Sequence, residues 1–307
     1  MIAFQLFQKI LSLFLILGSG TLLVKLKVIR SADSRLLSAL SLYLIVPAVI
    51  INMFTIKYTP EILKGFLISS VAALAILIYD AVLGRVLRRP LKLSPAEECS
   101  VVYSNAGNLI IPIVTSILGP EWVLYTTPFI CLQPIFVWTH GYKVLCGGSD
   151  FSLKKIFTNV NMICILIGAL IFAFQIPIPG LLSDALSSIS ATLGPVSMLI
   201  VGMLIGGMEL KKVFINPRVW LVTGLRLIVF PLVPLFVLSI PAIQALHQSG
   251  FEILMITLLA ACAPSASMTT QMAQIYGQDA ETASAINVVS TLSCIATMPL
   301  MILIYQR

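Results

Sequence analysis

Charged side chains are scarce in this sequence. Asp, Glu, Lys and Arg together make up only 10% of the 307 residues, whereas hydrophobic residues make up 59%, and the mean hydropathy is +1.04. A soluble domain of ordinary composition carries about 25% charged residues, and a chain with so few cannot cover a folded surface in water. The composition therefore excludes a soluble globular protein and predicts that most of the chain lies in lipid.

Motifs for catalysis and metal binding are also missing. The sequence has two histidines and six cysteines, with no CxxC pair and no histidine at metal-ligand spacing from a cysteine. It contains no HExxH, no GxSxG and no glycine-rich nucleotide-phosphate loop. Glu97 and Glu98 are adjacent and point to different faces of a helix, so they do not form a paired-carboxylate site. These absences disfavour an intramembrane enzyme and an ATP-driven pump, and no cofactor is predicted.

The basic residues fall in short clusters between apolar runs. The chain has 19 Lys and Arg against 12 Asp and Glu, but no aromatic residues are interleaved with a basic face, so nucleic acid is not a predicted partner. The clusters lie around Arg30, Arg88, Lys154 and Lys211, in every second loop. Because cytoplasmic loops carry the excess of Lys and Arg, we predict that both termini are periplasmic in a bacterial inner membrane.

Ten apolar segments are long enough to cross a bilayer, which takes about 20 helical residues. The first segment is interpreted as a retained helix and not as a cleaved signal. The ten segments divide into two sets of five. An odd number of spans ends on the opposite side of the membrane, so if the two sets are repeats, the second is inverted relative to the first. The predicted fold is an all-α membrane protein with halves at residues 1–148 and 149–307. The ten segments are residues 4–24, 36–54, 65–83, 99–118, 122–142, 156–178, 185–208, 219–246, 253–278 and 282–306.

The fourth and ninth segments combine proline with clustered neutral polar residues. Pro112 removes one backbone donor and clashes with the carbonyl of Asn108, so we predict a helix break there. Pro264 predicts a matching break in the ninth segment. The N-terminal ends of the two second half-helices would carry partial positive charge, which favours an organic carboxylate as ligand. The predicted substrate-binding residues are Asn105, Gly107, Asn108, Pro112, Pro264, Ser265, Ser267 and Gln271.

Several stretches resemble the auxin efflux carrier family, which includes plant transporters and bacterial permeases. His140 stands where the family more usually has a hydrophobic residue. The long central cytoplasmic loop of the longer plant members is absent, so auxin itself is not implied. The resembling stretches are residues 20–23 and 38–48, Asn105-Ala106-Gly107-Asn108 with Pro112, residues 137–141, Ala263-Pro264-Ser265, residues 276–281 and 290–292, and Pro299.

This resemblance implies ten transmembrane helices in two inverted five-helix repeats, with crossed broken helices in the fourth and ninth segments. Such a fold is similar to those of bile-acid sodium symporters and sodium/proton antiporters, and it implies elevator-like alternating access. Bacterial relatives are associated with malate, malonate and other small organic acids. Relatives form dimers through the second and seventh segments, where Gly202 and Gly206 would permit close approach, so a homodimer is predicted.

Two charged residues inside apolar segments have alternative interpretations. Asp80, in the third segment, is either a proton or ion site or a residue that pairs with Arg85 or reaches the headgroups. Arg226, in the eighth segment, either neutralises a substrate carboxylate or extends to the cytoplasmic interface. Both alternatives stay open for each residue at the level of sequence.

The function predicted from these features is secondary transport of small organic anions, without enzymatic activity. The alternative is a Na⁺- or H⁺-coupled symporter or antiporter in which cation movement is the main activity. The fourth, fifth, ninth and tenth segments contain no Asp or Glu, which disfavours cation exchange as the main activity. Coupling to Na⁺ or H⁺ is left open.

Overall fold

The computed structural model describes residues 2–55, 59–147 and 160–307. Their architecture is helical, and the described residues contain no strand beyond one isolated pair of bridged residues. Two short helices, Leu210–Ile215 and Pro241–Gln244, connect longer ones. The longer helices are α1 Ile2–Lys25, α2 Ser31–Met53, α3 Pro60–Arg88, α4 Pro95–Val102, α5 Ala106–Ile117, α6 at residues 127–146, α7 Val160–Phe174, α8 Gly180–Gly206, α9 Pro217–Leu238, α10 Gly250–Ala261, α11 Ser267–Ile275 and α12 Ala280–Tyr305.

Five helices of the described chain are long and apolar enough to cross a membrane without interruption. They are α2, α3, α8, α9 and α12. Residues Leu11–Lys25 of α1, together with α7 and α10, are apolar but shorter. Each of the ten segments predicted from the sequence overlaps a helix, but the fourth and the ninth each contain two short helices. The number of ten spans therefore stays a prediction.

Local sequence signals explain where several helices begin. The Thr59 hydroxyl accepts a hydrogen bond from the Ile62 N–H at the start of α3, where Pro60 occupies the first helical position. At the start of α4, Ser94 and Glu97 cap each other's backbone N–H groups. Such side chains satisfy donors that have no partner inside the helix. The starts of the helices in the third and fourth segments are therefore encoded locally.

The closest helix pair consists of α1 and α8, which approach each other through glycines. A Cβ atom on Gly202 would overlap the carbonyl oxygen of Leu17, and one on Gly206 would lie 2.7 Å from the Val24 Cβ. The Thr21 hydroxyl donates a hydrogen bond to the Gly202 carbonyl over 2.9 Å. Gly202 and Gly206 thus permit close packing of α8 against α1 of the same chain. The homodimer itself stays a prediction.

Both segments with clustered polar residues are interrupted. Residues 103–105 separate α4 from α5, and residues 262–266 separate α10 from α11. Of the four short helices on either side of the interruptions, α4 contacts α11 and α5 contacts α10. The two interruptions are therefore brought to the same place in the core.

Pro112 does not break its helix as predicted. It lies inside α5, which begins at Ala106 and continues to Ile117. A proline removes only one hydrogen bond of the helix, and the surrounding turns keep theirs. The ring also has room, because Gly194 of α8 lacks the Cβ atom that would otherwise lie 3.0 Å from the Pro112 Cβ. The interruption precedes α5, and Pro112 is a packing residue of that helix.

Candidate functional site

The two interruptions pair with each other through their backbones. Ser104 and Ser265 form an isolated antiparallel bridge. The Asn105 N–H donates to the Pro264 carbonyl over 2.7 Å, and the Ala266 N–H donates to the Tyr103 carbonyl over 2.9 Å. These bonds satisfy polar groups that a helix break would otherwise leave bare in an apolar core. We call this pairing the Ser104–Ser265 bridge.

The Gln133 carboxamide, on α6, hydrogen-bonds the backbone N–H and carbonyl of Ser104. The Gln133 Oε1 accepts hydrogen bonds from the Ser104 N–H and hydroxyl, each over 3.0 Å. The Gln133 Nε2 donates to the Ser104 carbonyl over 2.8 Å. One side chain thus takes the place of a neighbouring strand for this residue.

Side chains of the last helix, α12, hydrogen-bond the backbone N–H and carbonyl of Ser265. The Asn287 Nδ2 donates to the Ser265 carbonyl over 2.6 Å, and the Ser290 hydroxyl oxygen accepts from the Ser265 N–H over 3.1 Å. Sequence reasoning did not assign Gln133, Asn287 or Ser290 to the site. The available signal was a neutral polar side chain inside each of the fifth and tenth apolar segments.

Arg226 of α9 holds the helix ends that lead into the bridge. Its Nε donates to the Ala263 carbonyl over 3.0 Å, and its Nη2 donates to the Ala261 carbonyl over 2.6 Å. Its Nη1 donates to the Val101 and Val102 carbonyls over 3.0 and 3.3 Å. Carbonyls at a helix C-terminus lack partners within the helix and carry partial negative charge. A single guanidinium therefore compensates the C-terminal ends of both α4 and α10.

Asp80 of α3 pairs with Arg226 inside the protein. Their Oδ2 and Nη1 atoms are 3.4 Å apart, and the side chains are 2% and 0% exposed. The second carboxylate oxygen of Asp80 is buried and has no hydrogen-bond partner among the residues that the structure describes. Asp80 therefore pairs with Arg226 and not with Arg85, and neither charge extends to an interface. Sequence reasoning treated these residues separately from the helix breaks, whereas Arg226 joins them to the bridge.

The opposite helix ends, the N-termini of α5 and α11, also meet at the bridge. Their first N–H groups have no acceptor within the helix and carry partial positive charge. The first turn of each of these two helices contains no acidic residue. Open space adjoins α5, because a Cβ atom on Gly107 would have no atom within 4 Å. The arrangement can hold an anion, since neither first turn contains an acid and the Asp80 carboxylate already faces Arg226.

Two larger cavities lie away from the bridge. A cavity of about 520 Å³ lies between α3 and α9 and is lined mainly by apolar side chains such as Leu67, Val71 and Val233. Another, of about 580 Å³, lies at the ends of α3 and α10 and includes Glu61 and Glu121. The first offers few polar groups besides Lys64 and Tyr79, and the second presents two acids beside Lys64 and His247. These linings favour a carboxylate less than the two acid-free helix N-termini do.

A comparison with known protein families gives a match along nearly the whole chain. A family profile described as a membrane transport protein matches residues 5–150 and again residues 148–302. The chain belongs to this membrane transport family, that of the auxin efflux carriers. No curated protein matches the chain.

Membership of the membrane transport family agrees with the five long apolar helices, and the chain is a multi-pass membrane protein. The family consists of transporters and not of enzymes. The resemblance read from residues in the fourth and last two segments is thereby confirmed at the level of the family.

Within this transporter, the predicted site residues occupy different positions. Asn105 and Ser265 are buried at the bridge, and within the described part of the chain the Ser265 hydroxyl has no hydrogen-bond partner. Gly107 and Ser267 are half-buried in the first turns of α5 and α11, and Pro264 lies in the second interruption. Pro112 lies farther along α5. The structure describes the backbone but not the side-chain environment at Asn108 and Gln271.

Proposed function

We propose that this membrane protein is a secondary transporter of small organic anions, with a carboxylate held beside the Ser104–Ser265 bridge. The observation that supports this proposal most directly is the charge distribution at the bridge. The two helix C-termini are compensated by Arg226, whereas the N-termini of α5 and α11 have no acidic neighbour in their first turns. Helix N-termini of this kind bind anions through backbone N–H groups.

We also propose ten spans in two inverted repeats, at residues 1–148 and 149–307. In support, each half contributes one interrupted segment, and the segment that follows supplies a carboxamide, Gln133 or Asn287, to the bridging serine. The two ranges matched by the family profile meet near residue 149. We further propose a bacterial inner membrane protein with periplasmic termini, because the basic clusters fall in every second loop.

Movement of substrate would occur by an elevator-like displacement of the bridge. Helix α8 contacts α1 and α2, and α2 also contacts α7, while α4, α5, α10 and α11 associate at the bridge. In such a mechanism the second group moves across the first with its ligand, so that the site opens to one side at a time.

A cation-coupled carrier is the second candidate. The unpartnered Asp80 oxygen favours it, because a buried carboxylate oxygen can accept a proton or coordinate Na⁺. The Arg226 guanidinium opposes it by neutralising Asp80. Among the described residues, no cluster of three or more His, Cys, Asp or Glu side chains is placed to hold a metal ion.

The experiment compares two glycine variants reconstituted into liposomes, with labelled carboxylates, including malate and malonate, added outside. Gly107→Val adds a side chain to the open space beside α5, and Gly18→Val adds one to open space on α1. We expect Gly107→Val to lose uptake by about tenfold or more at normal folded yield, while Gly18→Val keeps it. Imposed Na⁺ and pH gradients separate anion transport from cation coupling. Wild-type uptake by Gly107→Val would place the site elsewhere.

A further inference from the structure

A half-buried histidine, His140, lies beside the bridge, and its hydrogen bonds define its tautomer. The Tyr103 hydroxyl donates to the Phe136 carbonyl over 2.8 Å, and the His140 Nδ1 lies 2.9 Å from the same hydroxyl oxygen. Because the Tyr103 hydrogen is already used, this contact requires a hydrogen on His140 Nδ1. The lone pair of the neutral imidazole is then on Nε2.

The His140 Nε2 faces the carboxylate of Glu98. The Nε2 and Oε1 atoms are 3.9 Å apart, and the Glu98 side chain is fully buried. Neither of these two atoms has a hydrogen-bond partner among the described residues. A carboxylate oxygen and an unprotonated imidazole nitrogen both accept hydrogen bonds, so they cannot satisfy each other. One additional proton between them would give both atoms a partner.

Other titratable and charged groups surround this pair. The Arg88 Nη1 lies 3.1 Å from the Glu98 Oε2. Arg85 of α3 and Lys143 of α6 also act on the pair electrostatically. On α4, the Cys99 thiol lies 3.8 Å from the Gly141 carbonyl, and Tyr103 completes the set. The negative charge of Glu98 favours a proton on the pair, and the three cations, Arg85, Arg88 and Lys143, oppose it.

Tyr103 connects the pair to the bridge. Its hydroxyl contacts His140, while its carbonyl accepts the Ala266 N–H that closes the bridge. Gly141 makes room for the ring, because a Cβ atom there would lie 2.9 Å from the Tyr103 Cε2. One residue therefore contacts both the His140 ring and the backbone of the bridge.

We propose that Glu98 and His140 form a proton-binding site coupled to the Ser104–Ser265 bridge through Tyr103. The inference goes beyond transport of an anion and does not depend on the identity of the substrate. The proton is held between His140 Nε2 and Glu98 Oε1, and its uptake draws the two groups together. The site gives the bridge a dependence on the proton concentration at that end of α4.

Histidine-selective ¹⁵N labelling of the purified full chain tests the site, because the protein has only two histidines. His247, whose ring contacts the Glu61 carbonyl and the Ser249 N–H, is the internal control. In a titration from about pH 5 to about pH 9, we expect His140 to carry its hydrogen on Nδ1 when neutral and to gain the second one on Nε2.

Two variants separate the proposal from a merely structural role. Glu98→Gln should lower the midpoint of the His140 titration by about one pH unit or more, and Arg88→Gln should raise it, while His247 stays unchanged. Equal His140 midpoints in all three proteins, or a neutral His140 with its hydrogen on Nε2, would overturn the proposal. The Arg88→Gln arm decides the matter if Glu98→Gln does not fold.

Hydrogen exchange of the Ala266 amide tests the coupling. After correction for intrinsic rates, we expect its protection in the wild type to change across the His140 midpoint. In Glu98→Gln and Arg88→Gln this change should move to lower and higher pH, respectively, together with the His140 midpoint. Unchanged protection across the wild-type midpoint would refute the coupling. Neither measurement involves transport, so failure here is distinct from failure of the proposed anion site.

Discussion

At the scale of single residues, Arg226 makes an unusual set of contacts. It donates to four backbone carbonyls from two interrupted helices and also faces Asp80. A planar guanidinium can reach such a set because its donors are fixed in a fork, whereas a lysine ammonium is a compact point charge. The residue therefore holds both helix ends in one geometry.

Replacing Arg226 should destabilise the protein strongly. We expect Arg226→Gln to lower the free energy of unfolding by about 3 to 5 kcal/mol, since it leaves a buried carboxylate and several carbonyls without compensation. Arg226→Lys should recover only part of the loss. Denaturant unfolding in detergent measures the effect, with exposed Arg89→Gln as the control. A wild-type unfolding curve for Arg226→Gln would show that these hydrogen bonds do not stabilise the fold.

Gln133 offers a second test at this scale. Gln133→Ala removes both partners of the Ser104 backbone, and each unpaired buried group costs about 1 to 3 kcal/mol. Gln133→Glu keeps an acceptor but loses the Nε2 donor, so it should not restore stability at neutral pH. Thermal unfolding of both variants is compared with that of exposed Gln248→Ala. Restoration by Glu would contradict the bonding described for the Ser104 carbonyl.

At the scale of helices, the α1–α8 contact depends on missing side chains. Gly202→Ala places a methyl group against the Leu17 carbonyl, whereas Gly18→Ala enters open space on the same helix as Leu17. Alanine has the higher helix propensity, so Gly18→Ala should be neutral or slightly stabilising. Gly202→Ala should unfold at a lower temperature. Equal melting temperatures would contradict the close approach.

Replacing Pro112 should not destabilise the protein, although this proline lies in an interrupted segment. Because it lies inside α5 and the interruption precedes that helix, Pro112→Ala should leave the bridge intact and restore one helical hydrogen bond to the Asn108 carbonyl. We expect unchanged or increased thermal stability and normal protection of the Asn105 and Ala266 amides in hydrogen exchange. Loss of protection at these amides would mean that the proline maintains the interruption after all.

The helices also show how far sequence reasoning reached. The interruption at Pro264 and the polar cluster at Asn105 were predictable, because proline and helix-capping residues act within one or two turns. The pairing of Ser104 with Ser265, and the choice of Gln133 and Asn287 as their partners, depend on contacts between helices far apart in sequence. Arg226 was recognised as a buried charge, but the carbonyls that it reaches appear only in the folded chain.

At the scale of the whole molecule, the basic clusters predict an orientation. With the native cysteines replaced, single cysteines at exposed Arg89 and exposed Gln248 report opposite faces of the membrane. We expect an impermeant thiol reagent added to intact cells to label position 248 and to spare position 89 until the membrane is opened, because the loop near Arg88 is cytoplasmic under the positive-inside rule. Labelling of position 89 from outside would reverse the orientation.

The Ser104–Ser265 bridge also constrains the order in which the chain can mature during biosynthesis. Ser104 leaves the ribosome first, and Gln133 is the earliest of its partners to follow. Arg226 comes next, whereas Pro264 and Ala266, which complete the bridge, are made only near the end of translation. Until then, the Asn105 N–H and the Tyr103 carbonyl must stay hydrated or be sheltered by the insertion machinery, since lipid offers them no partner. Stop codons placed before residue 264 should therefore yield truncated chains that are inserted into the membrane but are degraded by quality-control proteases.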